Sequence, residues 1–422
     1  MRTPLRHILR GFTGALAGPA RHPLTVFRHP LEPRDRDFWP HAWSWFSADE
    51  PAVRARGGDY VPVHAPATAF RRPPRTLDPR PHWFFGVDTV QDLPSTFVAV
   101  VPGGAAVGAS GAVFAPDGRM LGDLSREFGI PPLAHPALRG PLPPAHRVEG
   151  TVLVLSAPGS DVYYHWLLDV LPRLEIARRA GFGPGGVDRV LVSGASLPFQ
   201  AETLARLGIP PARVLDAAAY PHVAADRLVV PSYPGRPEHP PRWACDFLRA
   251  ALLPPAGGER PARLYVTRSD AALRRVVNEP EVRAGLEARG FRCVALTGMP
   301  VAEQAALFAS AEVVVGPHGS GLANLVFCAP GTRVVEMFSR NFVNPCFWSL
   351  ANQVGLEYAY LIEPGERPPD YVDAHRSGDD MAVDVDALLE LLDRLDEGRV
   401  PAGQAFLGPD ATVFRGAPAG AA

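Results

Sequence analysis

Val313-Val314-Val315-Gly316-Pro317-His318-Gly319-Ser320-Gly321-Leu322-Ala323-Asn324 is the stretch on which the reading of this chain turns. Three β-branched residues in a row predict a buried strand. The strand empties into a loop with three glycines around one histidine. The apolar run from Leu322 to Cys328 then predicts the first turns of a buried helix. A glycine-rich turn between strand and helix lets backbone N–H groups converge, and a helix N-terminus adds roughly half a positive charge. That is a place for phosphate, with an imidazole beside it. The spacing G-x-x-G-x-G is neither the dinucleotide fingerprint nor the P-loop. A tight turn that needs glycine for backbone reasons alone is the competing interpretation.

Working outward, strands and helices alternate around this loop. Arg263 to Thr267 and Phe291 to Ala295 predict strands, and Glu281 to Arg289 and Val301 to Ala309 predict helices. Arg333 to Phe338 predicts the next strand after the loop. Upstream, Thr151 to Leu155, Val190 to Val192 and Arg227 to Val230 predict strands, with helices from Tyr163 to Ala180 and Gln200 to Leu207. Alternation of this kind implies largely parallel sheets covered on both faces. The expected fold class is therefore α/β, with two Rossmann-like halves facing across a cleft and ligands bound at the carboxyl ends of the strands. Residues 1–80 are expected to form an N-terminal extension. Residues 81–255 should form the first domain, opening with a β-meander, and residues 256–400 the second. Leu253 to Gly258 is a linker, and 401–422 a tail. The aromatic run from Phe38 to Phe46 is expected to anchor the extension to a core rather than stack on sugars.

Composition narrows the class. With 46% hydrophobic and 20% charged residues the chain is an ordinary globular protein, and a net charge of −2 gives no reason to expect a nucleic-acid partner. All 42 basic residues are arginine, which excludes lysine chemistry such as a Schiff base and makes any single arginine a weak signal. The four cysteines (Cys245, Cys293, Cys328, Cys346) form no C-x-x-C pair, which suits core packing and a reducing cytoplasm. No apolar run reaches the roughly 18 residues of a transmembrane helix. The N-terminal Arg2, Arg6 and Arg10 among Leu5, Ile8, Leu9 and Phe12 fit either a peripheral membrane contact or an ordinary surface segment.

Several side chains carry chemistry. His165 and Asp169, four apart on a predicted helix just after a strand end, share a face, as a general base and its orienting carboxylate do. Arg268 follows a strand end opposite the glycine loop, with Arg274 and Arg275 close behind; a guanidinium fork suits a diphosphate. Glu303 lies near a helix start, as a dipole partner or a ribose ligand. Glu336 interrupts an apolar strand and needs a partner, either a sugar hydroxyl or an arginine. The D-x-D pairs Asp35/Asp37 and Asp384/Asp386 sit in irregular sequence and at a helix start, so no metal and no cofactor are expected.

Taken together, Tyr164-His165-Trp166-Leu167-Leu168-Asp169-Val170-Leu171-Pro172-Arg173-Leu174, Arg263-Leu264-Tyr265-Val266-Thr267-Arg268, Glu303-Gln304, Gly316 to Asn324 and Val335-Glu336 resemble the ordered blocks of glycosyltransferase family 61, which includes bacterial capsular-polysaccharide enzymes. The resemblance covers roughly Gly150 to Phe338. It implies a GT-B fold, an inverting mechanism, and a nucleotide-sugar donor held mainly by the second domain. The acceptor is then a glycan or lipid-linked glycan in surface-polysaccharide synthesis. His165 or Asp169 serves as base. Arg268, Arg275, Glu303, His318, Gly319, Ser320, Gly321, Asn324 and Glu336 serve the donor. A non-catalytic nucleotide-sugar or glycan-binding protein on the same fold is the alternative.

Overall fold

The computed structural model describes residues 36–255, 260–372 and 376–400. The N-terminal basic segment, half of the predicted linker (256–258) and the tail 401–422 lie outside the described residues.

The first sheet has ten strands. Those that matter here are β1 (Asp59–His64), β2 (Thr96–Pro102), β3 (Ala105–Val107), β4 (Ala112–Phe114), β5 (His146–Val154), β6 (Arg189–Val192), β7 (Val214–Asp216) and β8 (His222–Pro231). β8, β5, β6 and β7 run parallel in that order. On its other side β8 pairs antiparallel with β2 and β3, and β1 pairs antiparallel with β2. This sheet is therefore mixed rather than largely parallel. The meander expected after residue 81 is fused onto the α/β part through β8, whose ten residues are long enough to hold partners on both edges.

The second sheet is wholly parallel. Its strands are β9 (Arg263–Val266), β10 (Arg292–Val294), β11 (Val313–Pro317), β12 (Arg333–Phe338) and β13 (Glu357–Ile362), in the order β10-β9-β11-β12-β13. The chain leaves β9 in one direction and resumes on its other side at β11. The crevice at their carboxyl ends is a topological switch point, where open α/β sheets bind ligands. Arg268 follows β9 and His318 follows β11, so the order alone brings the predicted arginine to the glycine loop.

Residues 36–80, expected as an extension, are built into the body of the protein. The aromatic run forms a short helix, Ala42–Ala48, that buries Trp45 and Phe46. β1 lies in the first sheet. Arg75 makes a parallel bridge to Ala359 at the edge of the second sheet, and the Trp348 indole donates to the Arg72 carbonyl at 2.8 Å.

The two sheets share one apolar core. Leu153, Leu155 and Val229 of the first belong to the same buried cluster as Leu264, Val314 and Val334 of the second. Between them run Arg242–Leu252, an α-helix, and a helical rod formed by Tyr163–His165, a π turn Trp166–Val170 and the α-helix Leu171–Arg179. Pro172 explains the wide turn: it has no N–H for the carbonyl four residues back, and its ring pushes that carbonyl away. The halves meet through packed side chains, and an open space remains at the carboxyl ends of the strands.

Candidate active site

That space is a cavity lined by both halves. From the first come Phe128, Tyr164, His165 and Glu238; from the second come Arg274, His318, Gly319, Ser320, Phe342, Asn344, Cys346 and Phe347.

His165 and Asp169 meet as their spacing predicts. The imidazole Nδ1 lies 2.7 Å from Asp169 Oδ2, and the contact survives the π turn between them. Burial pulls the imidazole down, but the Asp169 hydrogen bond and charge, with Glu238 and Asp161 behind them, reverse this and leave its pKa raised. The Phe128 ring lies 4.7 Å from the His165 ring, and both rings press on Gly159, where a Cβ would come within 2.8 Å of each. Arg173, one residue in the same helical rod, is wholly structural: its guanidinium donates to the carbonyls of Leu155, Ser156 and Pro231, tying the carboxyl ends of β5 and β8 together.

Across the cavity the wall is cationic. Arg268 lies flat against Gly319; a Cβ there would stand 2.0 Å from its Nη1. Its Nη2 donates to the Leu273 carbonyl, while Nε is buried with no protein partner. Burial and then the Arg274 charge push the Arg268 guanidinium down to about 10, so it stays charged at neutral pH. Arg274 donates to the carbonyls of His318 (3.2 Å) and Ser377 (2.8 Å) and adopts a left-handed backbone, φ 56°. Arg274 on the lining and Arg268 behind Gly319 make this side of the cavity suit an oxyanion such as diphosphate.

His318 and Glu336 form a second imidazole–carboxylate pair. His318 Nδ1 is 2.5 Å from Glu336 Oε1, and the Tyr358 hydroxyl donates to Oε2. Both are buried. Burial, then Arg274 and Arg268, hold the His318 imidazole well below its usual range, and burial raises the Glu336 carboxyl. The partner that Glu336 required is thus supplied by the protein on both oxygens, not by a sugar hydroxyl.

Other expected donor residues fall elsewhere. Arg275 points out of the site, paired with Asp380 at 2.7 Å on an exposed surface; its neighbour Arg274 takes the cavity position. Glu303 is exposed on the helix Val301–Ala309 and does not line the cavity. Asn324 is fully buried: it accepts from the Tyr163 hydroxyl (2.9 Å) and donates to Gln304 Oε1 (2.7 Å) and the Gly321 carbonyl (3.0 Å). It joins the two halves rather than facing a ligand. The helix after the glycine loop is a 3₁₀ helix, Ser320–Phe327, rather than α-helical. Asp384 caps the helix Val385–Asp396 through the Ala387 N–H, the ordinary role foreseen for it. Among the described residues no group of three or more His, Cys, Asp or Glu is placed to hold a metal ion, and no helix is long and apolar enough to cross a membrane.

Glu238 and Asn344 escape sequence reasoning. Each lies in a proline-containing loop without periodicity, and their 2.8 Å hydrogen bond joins segments 106 residues apart. Arg274 was legible only as half of an arginine pair.

Residues 163–335 match the model of the family described as Glycosyltransferase 61. The match opens on the first residue of the helical rod and ends one residue before Glu336, so it includes lining residues of both halves, among them His165, Glu238, Arg274 and His318. The chain is similar to beta-1,2-xylosyltransferase RCN11 of Oryza sativa subsp. japonica, 35% identical over 99 residues, which is 22% of this chain and 19% of that protein. It is also similar to a beta-1,2-xylosyltransferase of Arabidopsis thaliana, 33% identical over 97 residues, or 20% and 18% of the two chains. The chain spans about a fifth of the length of the curated relatives it matches. Residues 163–335, which hold the blocks quoted above as far as Val335, are thus similar to glycosyltransferase 61.

Proposed function

We propose that this protein is a metal-independent, inverting glycosyltransferase that moves a sugar from a nucleotide-sugar donor to a hydroxyl of a glycan or lipid-linked glycan. The observation that carries this is the division of one cavity into two walls. Arg274 and the Gly319–Ser320 loop, backed by Arg268, form a cationic wall, and His165, held from behind by Asp169, stands on the wall opposite as an acid–base group. A GT-B-like arrangement is supported by the carboxyl ends of both sheets' parallel strands, which turn to the same space. The naming of the plant relatives as xylosyltransferases supports sugar transfer; the particular sugar is not carried over. The same reading sets the reaction in the cytoplasm, in synthesis of a bacterial surface polysaccharide.

The chemistry follows from the walls. The diphosphate lies against the arginines, with His318 Nε2 toward a phosphate oxygen. The acceptor hydroxyl oxygen attacks the anomeric carbon from the opposite face. The new C–O bond forms as the bond to the diphosphate breaks, and that electron pair leaves on the phosphate oxygen. The acceptor proton passes to the His165–Asp169 pair. Charge growing on the leaving diphosphate meets fixed cations, the electrostatic stabilisation that is often the largest single catalytic contribution. The arginines take the part that a divalent cation plays elsewhere.

A nucleotide-sugar panel, read by thermal shift with and without EDTA and then by product NMR, tests the proposal. Stabilisation that persists in chelator, with transfer that inverts the anomeric centre, is expected. Loss of stabilisation in EDTA refutes the metal-independent form. Donor binding without transfer to any acceptor favours a binding protein instead.

A further inference from the structure

Glu238 stands out once the cavity is drawn. It is one of three non-glycine residues among the described residues with a left-handed backbone, at φ 68°, and Arg274, at φ 56°, is another. Only a few per cent of non-glycine residues adopt this conformation, and those that do cluster at functional sites. Two of the three line the same cavity, one on each wall. The Glu238 conformation is held from both sides: Pro237 precedes it, and His239 behind it is buried, with Nδ1 3.2 Å from Arg71 Nη2 and 3.4 Å from Ser349 Oγ. Its Oε2 accepts from Asn344 Nδ2 at 2.8 Å, which leaves Oε1 for a ligand.

We propose that Glu238 is an acceptor-binding carboxylate, which takes a hydroxyl of the acceptor sugar beside His165 and makes the first-half wall selective for uncharged sugars. This rests on the glycosyltransferase reading. The side of the cavity follows from charge. A diphosphate is attracted to Arg274 and to Arg268 behind Gly319, and is repelled by the Glu238 carboxylate on the first-half wall. The first-half wall therefore meets the neutral, polyhydroxylated partner. A carboxylate accepts hydrogen bonds from sugar hydroxyls, and it repels an acceptor carrying a carboxylate or phosphate near the reacting hydroxyl.

The proposal has a pH signature. The titratable groups facing Glu238 are Tyr164, His165 and Asp169 on the helical rod, Asp88, and Cys346. Burial chiefly, offset by Asn344 and His165, leaves the Glu238 carboxyl pushed up to about 7. Its capacity to accept a hydroxyl then grows as pH rises through 7, so acceptor kcat/KM rises over the same range.

The test uses the full chain with the donor identified by the panel above and, as acceptors, methyl glycosides of neutral hexoses beside those of the matching uronic acids. Glu238→Gln keeps the Asn344 bond and removes the charge. Acceptor KM should rise at least tenfold, the rise of kcat/KM through neutral pH should flatten, and acidic acceptors should gain relative to neutral ones. The affinity for the nucleoside diphosphate should stay within twofold. A wild-type acceptor KM and pH profile in Glu238→Gln overturns the assignment. Asn344→Asp provides a second measurement should Glu238→Gln fail to fold: a carboxylate beside Glu238 should move the rise to higher pH, and an unmoved rise overturns the assignment. A wild-type protein that transfers no sugar overturns both this inference and the glycosyltransferase reading, whereas active wild type with an indifferent Glu238→Gln overturns this inference alone.

Discussion

Replacing Gly319 with alanine isolates the proposed diphosphate cradle from the rest of the fold. Gly319 has φ 175°, ordinary extended backbone, so alanine introduces no backbone strain. Its Cβ would instead fall 2.0 Å from Arg268 Nη1, 2.7 Å from Cζ and 3.0 Å from Cδ. The atoms in the way are the end of a long side chain, which can swing aside, so we expect a stability change of no more than about 1 kcal/mol, within the usual range for single substitutions. Arg268 then no longer lies across the loop. One charge-assisted hydrogen bond contributes about 1.5–3 kcal/mol, which corresponds to roughly 10- to 150-fold in affinity. Calorimetric titration with the nucleoside diphosphate that binds the wild type reads this directly. Gly319→Ala and Arg268→Ala should weaken binding by similar factors, and the double variant should be no worse than either, because both remove one interaction. Arg275→Ala, which breaks only the exposed pair with Asp380, should bind as wild type. Wild-type affinity in Gly319→Ala, or full additivity of the two losses, would refute the placement of Arg268 as the phosphate arginine.

Two further outcomes bear on the architecture. Asn324→Ala should cost about 2–4 kcal/mol in urea unfolding, because it strands the buried Tyr163 hydroxyl and Gln304 amide that Asn324 satisfies; a loss under about 0.5 kcal/mol would mean that the bridge between the halves carries no load. Acid should destabilise the protein through its buried histidines. Burial pushes His135 down from 6.5 to about 4 and, with Arg71 and Arg236, His239 to about 3. A folded pKa below the unfolded one means that the unfolded chain binds the proton first, so stability is complete above about pH 6.5 and falls as pH drops toward the folded values. For His135, whose Nδ1 accepts the Ala137 N–H, the loss approaches about 3 kcal/mol by pH 4, at 1.36 kcal/mol per pH unit. Melting temperature followed from pH 8 to 4 should show this slope, and His135→Asn should flatten it; an unchanged slope in that variant would place the acid sensitivity elsewhere.

Local sequence fixes what depends on local geometry. The valine run and the glycines after it specify a strand and a sharp turn because β-branching and a missing Cβ act within a few residues. The i, i+4 spacing of His165 and Asp169 brings them together on any helix, and it did so even through a π turn. The strand–helix alternation of the second half likewise implies a parallel sheet, and the order β10-β9-β11-β12-β13 then carries Arg268 to the loop.

What sequence spacing left open was decided by packing between distant segments. Arg274 and Arg275 are adjacent and chemically identical; only the left-handed turn at Arg274 sends one into the cavity and the other to Asp380. Glu336 and Asn324 look like ligands for a sugar nucleotide because a buried polar group needs a partner, and tertiary packing supplied protein partners instead: His318 and Tyr358 for one, Tyr163 and Gln304 for the other. Glu238 carries no signal in its proline-rich loop, and it shares a cavity with His165 only because the loop after β8 folds to the same space as the helical rod. The strand before the glycine loop is written in its own residues, but the groups that meet the loop across the cavity are set by two sheets closing on one core, where partners are chosen by proximity in space and not by spacing along the chain.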